Sequence, residues 1–212
     1  MKNQPEHNIK IDQLDKKVTE YIHHMHGGIP GLTPRQTPSA MNKKIEAFTY
    51  SGTNLIDEVN ALNPNRVVDV GCGTNYFKNK IKNLIGFDAV AHPDLDFQSE
   101  IKDVKFEPNS ADVVLALGSL QFGNRDYTYR DLKTVIGWVR PGGYIVMRLR
   151  PLVTEAESVI SELPYIWSQE WVEQLGQEFG LDVVKGPYVD NNAIFVNSAR
   201  TVWWWQKRPE KE

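Results

Sequence analysis

The run Val67-Val68-Asp69-Val70-Gly71-Cys72-Gly73 constrains this chain more than any other stretch. Its β-branched beginning suits a strand buried on both faces. The two glycines that follow permit a tight turn and a close backbone approach to a bound molecule. A strand covered on both faces belongs to a mostly parallel sheet with helices packed on either side. The rest of the chain must therefore alternate strands with helices.

It does so from about residue 66 to 180. Thr53 is a candidate N-cap for a helix through Leu55, Ile56, Val59 and Leu62, stopped by Asn63-Pro64. After the glycine turn, Phe77, Ile81 and Leu84 mark a helix, and Leu84 to Phe87 a second strand ending at Asp88. Asp112 opens the apolar strand Val113 to Leu117. A helix with Leu132, Val135, Ile136 and Val139 on one face follows, stopped by Pro141-Gly142-Gly143 before strand Tyr144 to Leu149. Thr154 with Glu157 reads as a capping box for a helix through Leu163. Ser168 caps another helix, with Trp171, Val172, Leu175 and Phe179 inward and Gly180 at its end. Leu181 to Val184, Ala193 to Val196 and Thr201 to Gln206 read as closing strands without helices between them. The expected fold is α/β: a Rossmann-like, doubly wound, mostly parallel sheet of about seven strands with an antiparallel edge hairpin. An N-terminal helical segment precedes it. Residues 8 to 26 carry a helical apolar face, and the Pro- and Gly-rich stretch to Ser39 reads as a loop. Residues 1–50 are thus expected to form a helix and loop able to act as a lid, and residues 51–212 one domain.

At 212 residues a single core suffices without disulfide or metal support. No apolar stretch approaches the roughly 20 residues needed to span a bilayer, and Met1 to His7 lacks the apolar centre of a signal peptide. A cytoplasmic location without membrane attachment is the expectation. The net charge of -3 argues against a nucleic-acid footprint. Cys72, the single cysteine, excludes an internal disulfide and fits a tight turn better than a nucleophilic role.

Ligands of open α/β sheets bind outside the carboxyl ends of the strands. Three features of the chain fall at such ends: Asp69 to Asn75, Asp88 at 19 positions after Asp69, and Glu100 after a short strand. The glycine loop, opening a helix, offers backbone N–H groups. Asp88 can accept hydrogen bonds from ribose hydroxyls. A dinucleotide fingerprint requires glycine where Tyr76 stands, and Asp69 would repel a pyrophosphate while favouring an ammonium group. A nicotinamide-dependent oxidoreductase is therefore disfavoured, and a binding or scaffold protein on the same fold stays as the alternative.

With these residues in place, the chain resembles the class I S-adenosylmethionine-dependent methyltransferases over roughly residues 50 to 206. Val67 to Asn75 resembles that family's first motif and Ile85-Gly86-Phe87-Asp88 its second. Phe106 to Val114 is similar to the stretch entering the fourth strand, and Arg140-Pro141-Gly142-Gly143 to the turn before the fifth. The resemblance implies that S-adenosylmethionine binds with its methionine part along Gly71, Cys72 and Gly73, and its ammonium near Asp69. It implies Asp88 at the ribose, Glu100 and Ile101 beside the adenine, and Leu117, Gly118 and Ser119 along the pocket floor. Two departures stand out. Asn75 replaces a common glycine, and only twelve positions separate Asp88 from Glu100, which predicts an abbreviated third strand and leaves Asp96 and Asp103 as competitors of Glu100.

The resemblance implies an enzyme that places acceptor and methyl in line, so the acceptor side needs no fixed catalytic set. Gly118-Ser119-Leu120-Gln121-Phe122-Gly123 stands where amino-group methyltransferases of nucleobases or glutamine carry Asn/Asp-Pro-Pro-aromatic, which argues against that subclass and toward a small-molecule or other acceptor. Arg148 and Arg150 share one face at the end of the fifth strand; surface ion pairing is the favoured reading, and a clamp for an acidic acceptor is the alternative. His23, His24 and His26 cannot all share one helix face, so no metal site is expected, though one of them can serve as a base over the cleft. In Trp203-Trp204-Trp205 alternate rings must point to opposite faces of a strand.

Overall fold

A computed structural model of the chain describes residues 52–121, 124–150, 152, 167–190 and 200–209. The expected helices at 8–26 and 154–163, the loop to Ser39, the three histidines and the strand at 193–196 lie outside the described residues.

Seven strands among the described residues form one sheet: β1 Val67–Val70, β2 Leu84–Asp88, β3 Phe97–Gln98, β4 Ala111–Ala116, β5 Val139–Leu149, β6 Leu181–Asp190 and β7 Arg200–Lys207. Their order is β3-β2-β1-β4-β5-β7-β6. The first five pair in parallel, and β7 lies antiparallel between β5 and β6. This is the expected mixed sheet with an antiparallel edge pair. The order reverses at β1, whose neighbours are β2 and β4, so a crevice opens at the carboxyl end of β1.

Both faces of the sheet are covered, and the strands show it in their side-chain alternation. One face carries Val68, Val70, Val114, Ala116, Ile145, Met147, Trp203 and Trp205 beneath helices α2 (Arg125–Trp138) and α3 (Gln169–Phe179). The other carries Val67, Val113, Leu115, Val146, Val202 and Trp204 beneath Leu55 and Val59 of helix α1 (Leu55–Ala61), with Phe77 and Ile81. The three tryptophans divide between the faces as a period of two requires, and all three are buried. Each buried large apolar side chain contributes roughly 1.5–3 kcal/mol, which is why a strand with two apolar faces stays inside.

Local signals set the helix ends. Ser168 accepts a hydrogen bond from Trp171 N at 3.1 Å and starts α3, while Gly180 ends it with φ 64°. Asn124 caps α2 in the same way, accepting from Tyr127 N. Two boundaries differ from the sequence reading. Asn54, not Thr53, precedes α1. Helix α2 stops at Trp138, and Val139 already belongs to β5, whose pairing with β4 shifts register across Pro141-Gly142-Gly143, where Gly142 has φ 77°. Val139 is buried in the core all the same.

The third strand is only two residues long, as the short interval after Asp88 predicts. Aromatic packing fastens it to the sheet: the Phe97 ring stacks on Phe87 at 5.2 Å, Phe106 meets both edge-on, and Trp138 meets Phe87 and Phe106 edge-on.

Candidate functional site

The loop after β1 is held from beneath by β2. Gly71 N and Cys72 N both donate to Phe87 O, at 2.9 and 3.1 Å, and Gly73 N donates to Asp88 Oδ2 at 2.9 Å. The two glycines are needed for different reasons. A Cβ on Gly71 would stand 2.5 Å from Ser119 Cβ, so this glycine lets β1 and the end of β4 close on one another. Gly73 has φ 57°, and nothing lies within 4 Å of where its Cβ would be. Its side faces open space beside the loop.

The helix expected after this loop does not form. Residues 73–80 run as consecutive turns, with Asn75, Asn79 and Asn83 at φ 54°, 64° and 55°. A left-handed residue every fourth position interrupts the i→i−4 ladder, and asparagine tolerates that conformation best among non-glycine residues. Phe77 and Ile81 still reach the core four positions apart, so the apolar spacing was real while the backbone carrying it is not helical. Asn60 of α1 replaces the missing helical bonds in part, donating to Lys80 O and accepting from Lys82 N. A helix N-terminus that would attract an anion is thus absent at this loop, and the amides of Gly71, Cys72 and Gly73 already have internal acceptors.

Two carboxylates flank the loop instead. Asp69 is buried, with no hydrogen-bond donor to its carboxylate among the described residues. Burial first, and the charge of Asp88 second, push its carboxyl up to about 7. Asp88 is also buried, and its Oδ1 accepts from Val90 N at 2.9 Å while Oδ2 holds Gly73 N. An ionised carboxylate has about four lone-pair sites, so roughly two remain for hydroxyl donors. Burial, then Asp69 and Asp88, push the Cys72 thiol far up, away from thiolate chemistry. Two buried carboxylates this close suit positive charge and hydroxyl donors and are hostile to a pyrophosphate.

Asn75 takes the place of the expected glycine without loss of the turn. Its Nδ2 donates to Asp94 O at 2.8 Å, and its side chain lies so close over Gly86 that a Cβ there would meet Asn75 Oδ1 at 2.2 Å. On the same side Asp96 accepts from Gly86 N and pairs with Lys78 at 3.0 Å. Burial works against its charge, but the Gly86 amide, Lys78 and Asn75 together hold the Asp96 carboxyl below its usual range. Asp96 is therefore committed to tying β2 to the loop. Glu100 stands just past β3, at the head of the 3-10 turn Ile101–Asp103, and its carboxylate pairs with Lys102 at 2.9 Å. Asp103 is exposed.

At the end of β4, Leu117, Gly118 and Ser119 follow the strand, and Ser119 Oγ is buried beside Gly71 without a hydrogen-bond partner among the described residues. Asp69, Leu115 and Val146 sit side by side across β1, β4 and β5. Arg148 lies two positions further along β5 on that same face. It is not at the surface: Arg148 and Asp190 are 4% and 6% exposed in their side chains, and Nε donates to Asp190 Oδ2 at 2.8 Å. The surface ion pairing favoured from sequence is thereby corrected, for Arg148, to a buried pair. Asp190 and the neighbouring Arg200 escaped the sequence reading, because a partner 42 positions away on an edge strand leaves no local pattern. Their alternation with Tyr188 and Val202 on one face of a hairpin was the only available signal.

No protein-family model matches the chain, and no curated protein matches it. Solved structures do, and they define the class of its architecture: this is the fold of class I S-adenosylmethionine-dependent methyltransferases. A 1,6-didemethyltoxoflavin-N1-methyltransferase from Burkholderia thailandensis, solved with 1,6-didemethyltoxoflavin and S-adenosylhomocysteine, is similar over 85% of this chain and 93% of its own, with 13% identity and a TM-score of 0.60. A SAM-dependent methyltransferase from Thermotoga maritima is similar over 80% and 96%, with 18% identity and a TM-score of 0.52. One from Methanosarcina mazei is similar over 68% and 93%, with 12% identity and a TM-score of 0.53.

Proposed function

We propose that this protein is an enzyme that transfers a methyl group from S-adenosylmethionine to a small-molecule acceptor. The observation that carries this reading is Asp69, a buried carboxylate with no donor among the described residues, beside a loop whose amides are already bonded. A cofactor bearing an ammonium group and a ribose satisfies what the residues leave open. Asp69 takes the ammonium, Gly71, Cys72 and Gly73 lie along the methionine part, and the free lone pairs of Asp88 take the ribose hydroxyls. Glu100 and Ile101 bound the adenine side, and Leu117, Gly118 and Ser119 form the floor. The pairing of Glu100 with Lys102 means that the adenine contact there runs through backbone and Ile101 more than through the carboxylate.

S-adenosylmethionine supplies an electrophilic methyl group: the acceptor's lone pair forms the new bond, the carbon–sulfur pair returns to sulfur, and the acceptor's proton leaves to solvent. What the chain contributes is mainly position, since holding nucleophile and methyl in line removes much of the entropic barrier.

Calorimetric titration with S-adenosylhomocysteine tests the reading. One saturable site is expected. Folded protein showing no heat at high micromolar concentrations of the product would remove it, and a nicotinamide dinucleotide should not bind.

A further inference from the structure

The geometry points to an anion-binding subsite at the carboxyl end of β5, formed by Arg148, Arg150 and Arg200, that receives a carboxylate of the methyl acceptor. The assignment rests on the methyl-transfer reading above for the word acceptor, and on the arginines alone for the anion.

Arg148 is the centre of the argument. Its guanidinium is almost wholly buried, yet Nε is matched to Asp190 while Nη2 is buried with no hydrogen-bond partner among the described residues. An orphaned donor on a buried cation is costly, and a carboxylate oxygen is the partner that guanidinium geometry suits best. Arg150 lies just past the end of β5 and is only partly buried, as is Arg200 at the start of β7. Arg200 is close enough to feel both: burial first, then the charges of Arg148 and Arg150, lower its proton affinity. Asp190 already offsets part of the positive charge gathered at this strand end, so the case for a bound anion rests on the open donor of the Arg148 fork.

The position suits a methyl acceptor. Strand spacing of about 4.8 Å and a rise of about 3.3 Å per residue set the Cα of Arg148 ~12 Å from that of Asp69, on the same face. A small aromatic or aliphatic acid spans from a guanidinium at one end to a methyl group at the other over such a distance. Asp190 then has a second function beyond neutralising charge: by fixing Nε it aims the other edge of the Arg148 fork.

The test uses the full chain and benzoate as the probe, titrated by protein-detected NMR with and without saturating S-adenosylhomocysteine. Saturable benzoate binding is expected, with benzamide, its uncharged analogue, at least about tenfold weaker. Arg148→Lys keeps a cation for Asp190 but loses the fork, and should weaken benzoate about tenfold or more while leaving the dissociation constant of S-adenosylhomocysteine unchanged. Arg150→Gln, which leaves the buried pair intact, should weaken benzoate too, and serves if Arg148→Lys does not fold. Benzoate and benzamide binding equally, or both variants binding benzoate as the native chain does, would overturn the subsite. Saturable S-adenosylhomocysteine binding with no benzoate binding overturns the subsite and leaves the methyl-transfer reading standing. No S-adenosylhomocysteine binding, with benzoate still bound, overturns the methyl-transfer reading and leaves an anion site without an acceptor role.

Discussion

Asp88 Oδ2 accepts the amide hydrogen of Gly73 at 2.9 Å, so the residue expected at the ribose is also the residue that fixes the glycine loop. The loop and the second strand end are one unit, and a cofactor lying across them meets a surface set before it arrives. Replacing Asp88 by alanine should weaken S-adenosylhomocysteine by roughly 1.5–3 kcal/mol, the range for hydrogen bonds to a charged group. Asp88→Asn, which keeps one acceptor for Gly73 N, should lose less. Calorimetry on both variants checks this, and native affinity in Asp88→Ala would show that the ribose lies elsewhere.

Asp69 should make both stability and cofactor affinity depend on pH, in opposite senses. Burial, then Asp88, raise its carboxyl from 3.8 to about 7, so the fold favours the protonated form. That contribution to stability is complete below about pH 4 and is lost as pH rises through about 7. An ammonium group prefers the ionised form, so S-adenosylhomocysteine should bind more tightly as pH rises toward about 7 and level off above it, by up to about tenfold per unit. Asp69→Asn should remove both trends: weaker binding nearly flat with pH, and a few kcal/mol more stability near pH 8 on the scale of ~1.4 kcal/mol per unit. Titrations and denaturant melts across this range separate the two effects. A native chain whose affinity is flat between about pH 6 and 8 contradicts the placement of the ammonium.

The two loop glycines should respond differently to the same substitution. Gly71→Ala drives a methyl into Ser119 Cβ and also strains a left-handed backbone, and should cost roughly 2–4 kcal/mol. Gly73→Ala meets open space and should cost only the backbone term, ~1–2 kcal/mol, while its new methyl intrudes on the cofactor side and weakens binding. Ser119→Gly combined with Gly71→Ala should recover the steric part. Urea melts of the native chain, Gly71→Ala, Ser119→Gly, their double variant and Gly73→Ala give the coupling directly, and equal costs at the two glycines would show that β1 and the end of β4 are not in contact.

Much of this was legible in the sequence because it was local or periodic. Val67 to Val70 announced a doubly buried strand by its β-branched run, Ser168 and Gly180 announced the ends of α3, and Trp203 to Trp205 divided between faces because a strand has a period of two. Asp69, Gly71, Gly73 and Asp88 could be named in advance since their positions at strand ends follow from the alternation of elements. The apolar spacing of Phe77 and Ile81 misled for an identifiable reason. A turn series with a left-handed asparagine every fourth residue places side chains at the same interval as a helix.

What the sequence determined by itself was the class of sheet, its two-sided core and the acids at its crevice, all consequences of short-range pattern. Only the tertiary structure decided which groups those acids face and which arginine meets which acid. Asp69 is pushed up because the fold removes water from it and brings Asp88 near, and Arg148 is buried because β6 and β7 deliver Asp190 from 42 positions away. Desolvation and long-range pairing are set by three-dimensional neighbours, and no spacing along the chain records them.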